Sequence, residues 1–250
     1  MNLQLKDKVA IVTGSSKGIG AGIAKAFAMA GAKVVVNYAQ NQVRAKKVVE
    51  EIINFGGNAI AIQANVSKSD DVKRLFDETI TAFERIDILV NNAGIYDIVL
   101  LEDITTEVLQ ANLDTNLIGT ILCTKKAASL MDSSGGSIIN ISSTVSTNPM
   151  PGTLIYAATK AAVDNVTKVL AKELGPKKIR VNTISPGITE TEGSHEKGFM
   201  GGEWEAQLLA QVPLGRIGQP TDIAKVAVFL ASDDAGWVTG ERIQVAGGQL

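Results

Sequence analysis

Tyr156 and Lys160 stand one helical turn apart in the stretch "LIYAATKAA" (154–162), so their side chains share a face. A free phenol ionises at about pH 10, too high to exchange protons readily near neutrality. An ammonium alongside favours the phenolate and brings that value down, which suits the pair to general acid–base work. Upstream, Ser142 and Ser143 of "NISST" can present a hydroxyl to a reacting oxygen. A bare Tyr-x-x-x-Lys spacing is more often a half-buried aromatic beside a solvated lysine, so the rest of the chain has to decide.

A second constellation lies near the N-terminus. "TGSSKGIG" (13–20) follows a short β-branched run and opens an apolar-periodic helix, with glycines at Gly14, Gly18 and Gly20 around Ser16, Lys17 and Ile19. Glycines in such a turn let the backbone approach a pyrophosphate, whose charge the amides at the helix N-terminus stabilise. A site for NAD normally carries an acid about twenty residues further on, bonded to the ribose 2′-hydroxyl. Here the second strand ends in Asn37, Tyr38 and Ala39 with no carboxylate, and Lys17 can place its charge beside a 2′-phosphate. Both features favour NADP(H).

The totals are consistent with a nucleotide-dependent enzyme and exclude several other classes. The chain has 250 residues, is 45% hydrophobic and carries a formal charge of −2, which gives no general attraction to nucleic acid or to a membrane surface. A single cysteine, Cys123, and a single histidine, His195, exclude an internal disulfide and any metal site built on several cysteines or histidines. The stretch "MNLQLKDKVAIV" has neither a long apolar run nor a cleavage-site pattern, so a soluble cytoplasmic protein is expected.

The elements that must position these residues alternate along the chain. Strands are expected at 9–13, 32–38, 58–66, 86–94, 136–142, 179–187 and 241–248. Helices are expected from the glycine cluster to about 30, then at 41–55, 69–84, about 105–131, 154–174 and 221–231. Continuous apolar strands between amphipathic helices predict an α/β fold. It is a doubly wound, Rossmann-type parallel sheet of about seven strands, with helices on both faces. No linker or repeat interrupts it, so one dinucleotide-binding and catalytic domain is expected over 1–250. A long irregular stretch at about 188–212 has the character of a substrate lid.

With these motifs in place, the sequence resembles the short-chain dehydrogenase/reductase family. The resemblance spans almost the whole chain: "TGSSKGIG", "NNAG" (91–94), "NLIG" (116–119), "NISS" (140–143), "YAATK" (156–160) and "SPGITET" (185–191), in that order. It implies that Tyr156 is the general acid–base and that Lys160 lowers its pKa and holds the nicotinamide ribose. It also implies that Ser143 stabilises the substrate oxygen and that Asn116 holds a water relaying protons to Lys160. Asn92, Ala93 and Gly94 would line the stretch from adenine to ribose, and Pro186, Gly187, Thr189 and Thr191 would position the nicotinamide carboxamide. Asn65, beside Val66, stands where the family usually has an aspartate that accepts from the adenine amino group. A homotetramer built through the two long helices and the C-terminal strand is the family expectation.

Substrate is less legible. Family members that reduce 3-oxoacyl groups on acyl carrier protein typically carry basic residues before the fifth strand. This chain has "SLMDSSGGS" (129–137) there, with Asp132 and no Lys or Arg. The lid is acidic, with Glu190, Glu192, Glu196, Glu203 and Glu205 expected to repel an anionic carrier, and Phe199, Met200 and Trp204 can give it an apolar inner side. Ile95, Tyr96, Thr144, Val145 and Met150 follow the cofactor and catalytic motifs closely enough to line the same cavity. His195 is expected on the lid surface. The expectation is an NADPH-dependent reductase of small free ketones, with a 3-oxoacyl-carrier-protein reductase second and a glucose dehydrogenase third. A non-catalytic NADPH sensor is the alternative from another class.

Overall fold

The computed structural model describes residues 3–249, so residues 1, 2 and 250 of the expected domain lie outside the described residues. Its centre is a seven-stranded sheet, parallel throughout, in the order β3-β2-β1-β4-β5-β6-β7. The strands are β1 (Val9–Val12), β2 (Lys33–Tyr38), β3 (Asn58–Gln63), β4 (Ile88–Asn91), β5 (Gly136–Ile141), β6 (Ile179–Pro186) and β7 (Arg242–Val245). Most are apolar at successive positions because both faces are covered. Alternate residues point to opposite faces. Ala10, Val12, Val34, Val36, Val90 and Ile139 enter one buried cluster, and Ile11, Val35, Leu89, Ile138 and Val181 the other.

The first cluster is covered by α1 (Gly18–Met29), α2 (Gln42–Asn54) and α9 (Pro220–Ala231), through Ile23, Phe27, Val48, Ile52, Ile223 and Leu230. The second is covered by α3 (Ser69–Phe83), α5 (Gly119–Leu130) and α6 (Leu154–Leu174), through Leu75, Phe76, Cys123, Ala127, Ala171 and Leu174. The strand order reverses direction between β1 and β4, and ligands of such sheets bind at that switch point beyond the carboxyl ends.

Two segments differ from expectation. The helix expected over 105–131 is α4 (Thr106–Asn112), a wide π-helical turn at Leu113–Ile118, and then α5. Its apolar periodicity does not reveal the break, because both flanking segments read as helix. The lid is not wholly irregular: it contains α7 (Glu192–Glu196), whose N-terminus is closed by a reciprocal Thr191–Ser194 capping box, and α8 (Glu203–Leu209). No helix among the described residues is long and apolar enough to cross a membrane.

Polar side chains tie the central strands to the helices behind them. Asn91 Nδ2 on β4 donates to Asn140 Oδ1 on β5 (2.8 Å) and to Thr124 Oγ1 on α5 (3.0 Å). Asn140 Nδ2 donates to Thr167 Oγ1 on α6 (2.8 Å), which meets Thr183 Oγ1 on β6 at 2.7 Å. All five residues are buried. Buried networks of this kind are costly to interrupt, because the remaining groups lose partners where no bulk water replaces them. Asn140→Ala is therefore expected to lower unfolding free energy by about 2–3 kcal/mol and the thermal midpoint by about 5–10 °C. A change of less than about 2 °C in a melting experiment would show that the ladder does not support the sheet.

Candidate active site

The glycine loop leaves β1 and turns back into α1 along a path that excludes side chains. Gly14 has φ +61°, and a Cβ there would lie 2.8 Å from Ala93 Cα. A Cβ on Gly20 would lie 2.4 Å from Asn92 Nδ2. Asn92 Nδ2 donates to the carbonyls of Thr13 (2.8 Å) and Gly14 (3.0 Å), and Thr13 Oγ1 accepts the amides of Asn92 and Ala93, each at 3.0 Å. The loops after β1 and β4 are thus sewn together. Gly18 begins α1, the Lys17 side chain makes no capping bond, and the first turn holds no acid. The helix therefore presents its positive end to the cleft, a cradle that fits dinucleotide phosphates.

At the end of β2, Tyr38 is buried and Ala39 exposed, and neither they nor Gln40 to Gln42 carry a carboxylate. Asn37 borders the cleft, but its side chain supports the glycine loop: Oδ1 accepts the Gly14 amide at 3.0 Å, and Nδ2 donates to Ala64 and Ile62 carbonyls. Asn65 Oδ1 accepts from Ser67 N (3.1 Å) and Ser67 Oγ (2.9 Å), so the acceptor expected to meet an adenine amino group is committed to its own turn. Val66 beside it is buried.

At the other end of the cleft, β5 stops at Ile141 and α6 crosses behind it. Lys160 is buried, and its Nζ donates to the Ile141 carbonyl at 2.8 Å and lies 5.6 Å from the Tyr156 ring centroid. Ser142 Oγ donates to the Lys160 carbonyl, while Ser143 is half-buried and hydrogen-bonded to the Tyr156 hydroxyl. Burial pushes the Tyr156 phenol up to about 12, with the Ser143 hydrogen bond opposing and Tyr96 adding to the rise. Burial also pulls the Lys160 ammonium down to about 8, against the carboxylate of Asp164. In the chain without ligand, desolvation is the largest influence on both groups and disfavours the charged form of each.

Asn116 sits in the π-helical turn, buried behind the cleft. Its Oδ1 accepts the Ile95 amide (2.8 Å), and its Nδ2 donates to the Ile95 carbonyl (2.9 Å) and to Thr159 Oγ1 (3.1 Å). The side chain is a clamp on the segment after Gly94. A Cβ on Gly94 would lie 3.2 Å from Asn116 Oδ1 and 3.5 Å from Lys160 Nζ, so both groups flank the same point.

Every other residue singled out from the sequence as a site residue borders one cleft of about 740 Å³. Ser16, Lys17 and Ile19 join the glycines at the phosphate end, and Pro186, Gly187, Thr189 and Thr191 follow β6. Ile95, Tyr96, Val145 and Met150 gather around Tyr156. The Tyr96 ring is 6.0 Å from that of Tyr156 and 6.2 Å from Phe199, and Phe199 is 6.2 Å from Trp204, which makes a file of aromatics from acid–base to lid.

Sequence reasoning missed Arg44 in the first turn of α2, which borders the cleft beside Lys17. Its signal was a cation shortly after the strand that ends without an acid. His195 is exposed and meets Glu190 at 3.0 Å. The acidic lid is less available to repel a partner than its composition suggests. Glu190 accepts from Gln219, Glu205 accepts the Gly201 amide, and Glu192 and Glu196 face the glycine loop.

A glycine loop and helix N-terminus at the switch point, with a Ser, Tyr and Lys set beside them, define a nicotinamide-dependent oxidoreductase. A family model described as enoyl-(acyl carrier protein) reductase matches residues 14–249. An uncharacterized oxidoreductase of Methylorubrum extorquens is 53% identical, over 98% of each chain. A 3-oxoacyl-(acyl-carrier-protein) reductase of Synechocystis is 45% identical, again over 98% of each. Among solved structures, a Burkholderia cenocepacia short-chain dehydrogenase in complex with NADP superposes with a TM-score of 0.92 at 36% identity, covering 98% of this chain and 99% of the other. The chain belongs to the short-chain dehydrogenase/reductase family.

The burial of Lys160 has a measurable consequence. A lysine whose pKa is lowered on folding destabilises the native state below that value, and the cost disappears once the unfolded chain has also lost its proton. Lys160→Met is expected to raise resistance to denaturant at pH 7, with a gain that is largest below about pH 8 and fades toward about 10.5. Denaturant midpoints of both proteins across pH 7–10.5 check this. A gain that grew with pH would contradict the buried-ammonium account.

Proposed function

We propose that this protein is a cytoplasmic NADPH-dependent oxidoreductase that reduces small free ketones to secondary alcohols, reversibly. The observation that carries the substrate is the aromatic file of Tyr96, Phe199 and Trp204 beside Tyr156, since pockets for small ketones are mostly apolar with few polar groups. NADP is favoured over NAD by Lys17 and Arg44 at the cleft and by the absence of a carboxylate after β2.

The glycine loop, Asn92 to Gly94 and the segment Pro186 to Thr191 would hold the nicotinamide cofactor, which would supply the hydride for the carbonyl carbon. Ser143 donates a hydrogen bond to the substrate oxygen. Tyr156 gives that oxygen its hydroxyl proton, and the C=O bond becomes C–OH. The high pKa of the free phenol keeps it protonated until the reaction. Lys160, fixed by the Ile141 carbonyl, stabilises the phenolate left behind and takes part in its reprotonation. The Asn116 side chain fixes Ile95, and through it Tyr96 and Gly94, on the side of Lys160 where a relay water would sit.

A 3-oxoacyl-carrier-protein reductase is the second reading, supported by the names of relatives at 43–45% identity and by the internal pairing of the lid acids. A homotetramer is supported by exposed apolar residues on the long helices (Ile121, Leu154 and Val169) and by Leu214, which meets the segment after the C-terminal strand.

NADPH oxidation over a panel of aryl and alkyl ketones, compared with acetoacetyl carrier protein, tests the reading. Tyr156→Phe is expected to reduce turnover by about 10²- to 10⁴-fold while the cofactor still binds. Equal rates in wild type and variant would remove Tyr156 from the chemistry. Strong preference for the carrier-bound substrate would favour the second reading.

A further inference from the structure

The lid meets the phosphate end of the cleft through three contacts made by two acids of α7. Glu192 Oε2 accepts the Gly18 amide, at the head of α1, at 2.9 Å. Glu196 is bidentate between cations, with Oε2 at 2.6 Å from Lys17 Nζ and Oε1 at 3.0 Å from Arg44 Nη2. These are the groups an incoming phosphate would use: an amide at a helix N-terminus and two positive side chains. Lys17 and Arg44 together hold the Glu196 carboxyl below its ordinary value.

The same short helix is tied to the substrate side. Lys197, the residue after Glu196, pairs with Asp97 at 3.1 Å and lies 5.7 Å from the Tyr96 ring centroid. Gly193 on α7 packs so tightly on Tyr96 that a Cβ would lie 2.8 Å from its hydroxyl oxygen. Phe199, three residues beyond the end of α7, places its ring 6.2 Å from that of Tyr96. Movement of α7 therefore moves the aromatic wall.

We propose that Glu192 and Glu196 are specificity-determining residues that act as internal stand-ins for the cofactor phosphates, so that a 2′-phosphate enters between Lys17 and Arg44 by displacing Glu196 and shifts the lid as it does so. The inference rests on the NADP reading above. Because the displaced contacts are partly exposed ion pairs, the competition they impose is modest. It lowers apparent affinity by the fraction of molecules whose cation pair is already engaged. The coupling is reciprocal: whatever draws the lid toward the aromatic wall changes affinity for the phosphate by the same factor.

Trp204, on the lid, supplies a readout independent of turnover. The only other tryptophan, Trp237, is fully exposed, and Trp237→Phe leaves Trp204 as the sole emitter. In that background, adenosine 2′,5′-bisphosphate and adenosine 5′-monophosphate are titrated against tryptophan emission and by calorimetry. The bisphosphate is expected to alter Trp204 emission, and Glu196→Gln to tighten its binding about threefold to tenfold, with little change for the monophosphate. Glu203→Gln, also on the lid, controls for loss of a negative charge alone. Wild type that binds the bisphosphate no better than the monophosphate would defeat the NADP reading and this inference with it. A preserved preference for the bisphosphate, with unchanged or weaker affinity in Glu196→Gln, or with tightening matched by Glu203→Gln, would overturn the stand-in role alone. So would Trp204 emission indifferent to the bisphosphate.

Discussion

Lys160 carries its ammonium into a position with almost no solvent, where Nζ donates to the Ile141 carbonyl at 2.8 Å. A charge so placed is tolerable only if its surroundings are fixed, because a small displacement would leave it without compensation. The carbonyl it uses is the last of β5, so the strand has to end there and α6 has to cross at one register. Asn140, the residue before Ile141, is bonded to Thr167, two turns beyond Lys160 on α6. From the opposite side the Asn116 clamp holds Ile95, beside Gly94, where an added Cβ would crowd Asn116 Oδ1 and touch the ammonium. The buried ladder, the strand end and the π-helical turn thus all serve one side chain.

The lid has two attachments of different chemistry. Toward the glycine loop it offers carboxylates, and toward Tyr156 it offers rings. Electrostatic contacts of the first kind weaken with salt and exchange readily with other anions, whereas the contacts between rings do not depend on charge.

Much of this was legible in the sequence, and the reasons are physical. Strands buried on both faces must be apolar at successive positions, so "VAIV", "KVVVNY" and "GSIINI" marked themselves, and with them the loops at their carboxyl ends. Tyr156, Lys160, Ser143 and the glycines were found because each needs a fixed spacing from a recognisable element. What stayed hidden depended on contacts between distant parts of the chain. No local pattern says that Asn37 turns back to Gly14, or that Glu196 reaches Lys17 and Arg44. Spacing likewise shows that an ammonium is near a phenol but not that the ammonium is buried.

The wide turn at Leu113–Ile118 has a consequence for how this region can change. Each residue added to an α-helix advances its faces by about 100°, so the turn sets α5 out of phase with α4. Cys123 and Ala127 can point into the sheet-side core without α4 having to follow the same stripe. Excising one residue there would leave a smoother, more regular helix and a worse protein, because Asn116 would swing away from Ile95. Grafting either half onto another scaffold would succeed only if the irregular segment travelled with it.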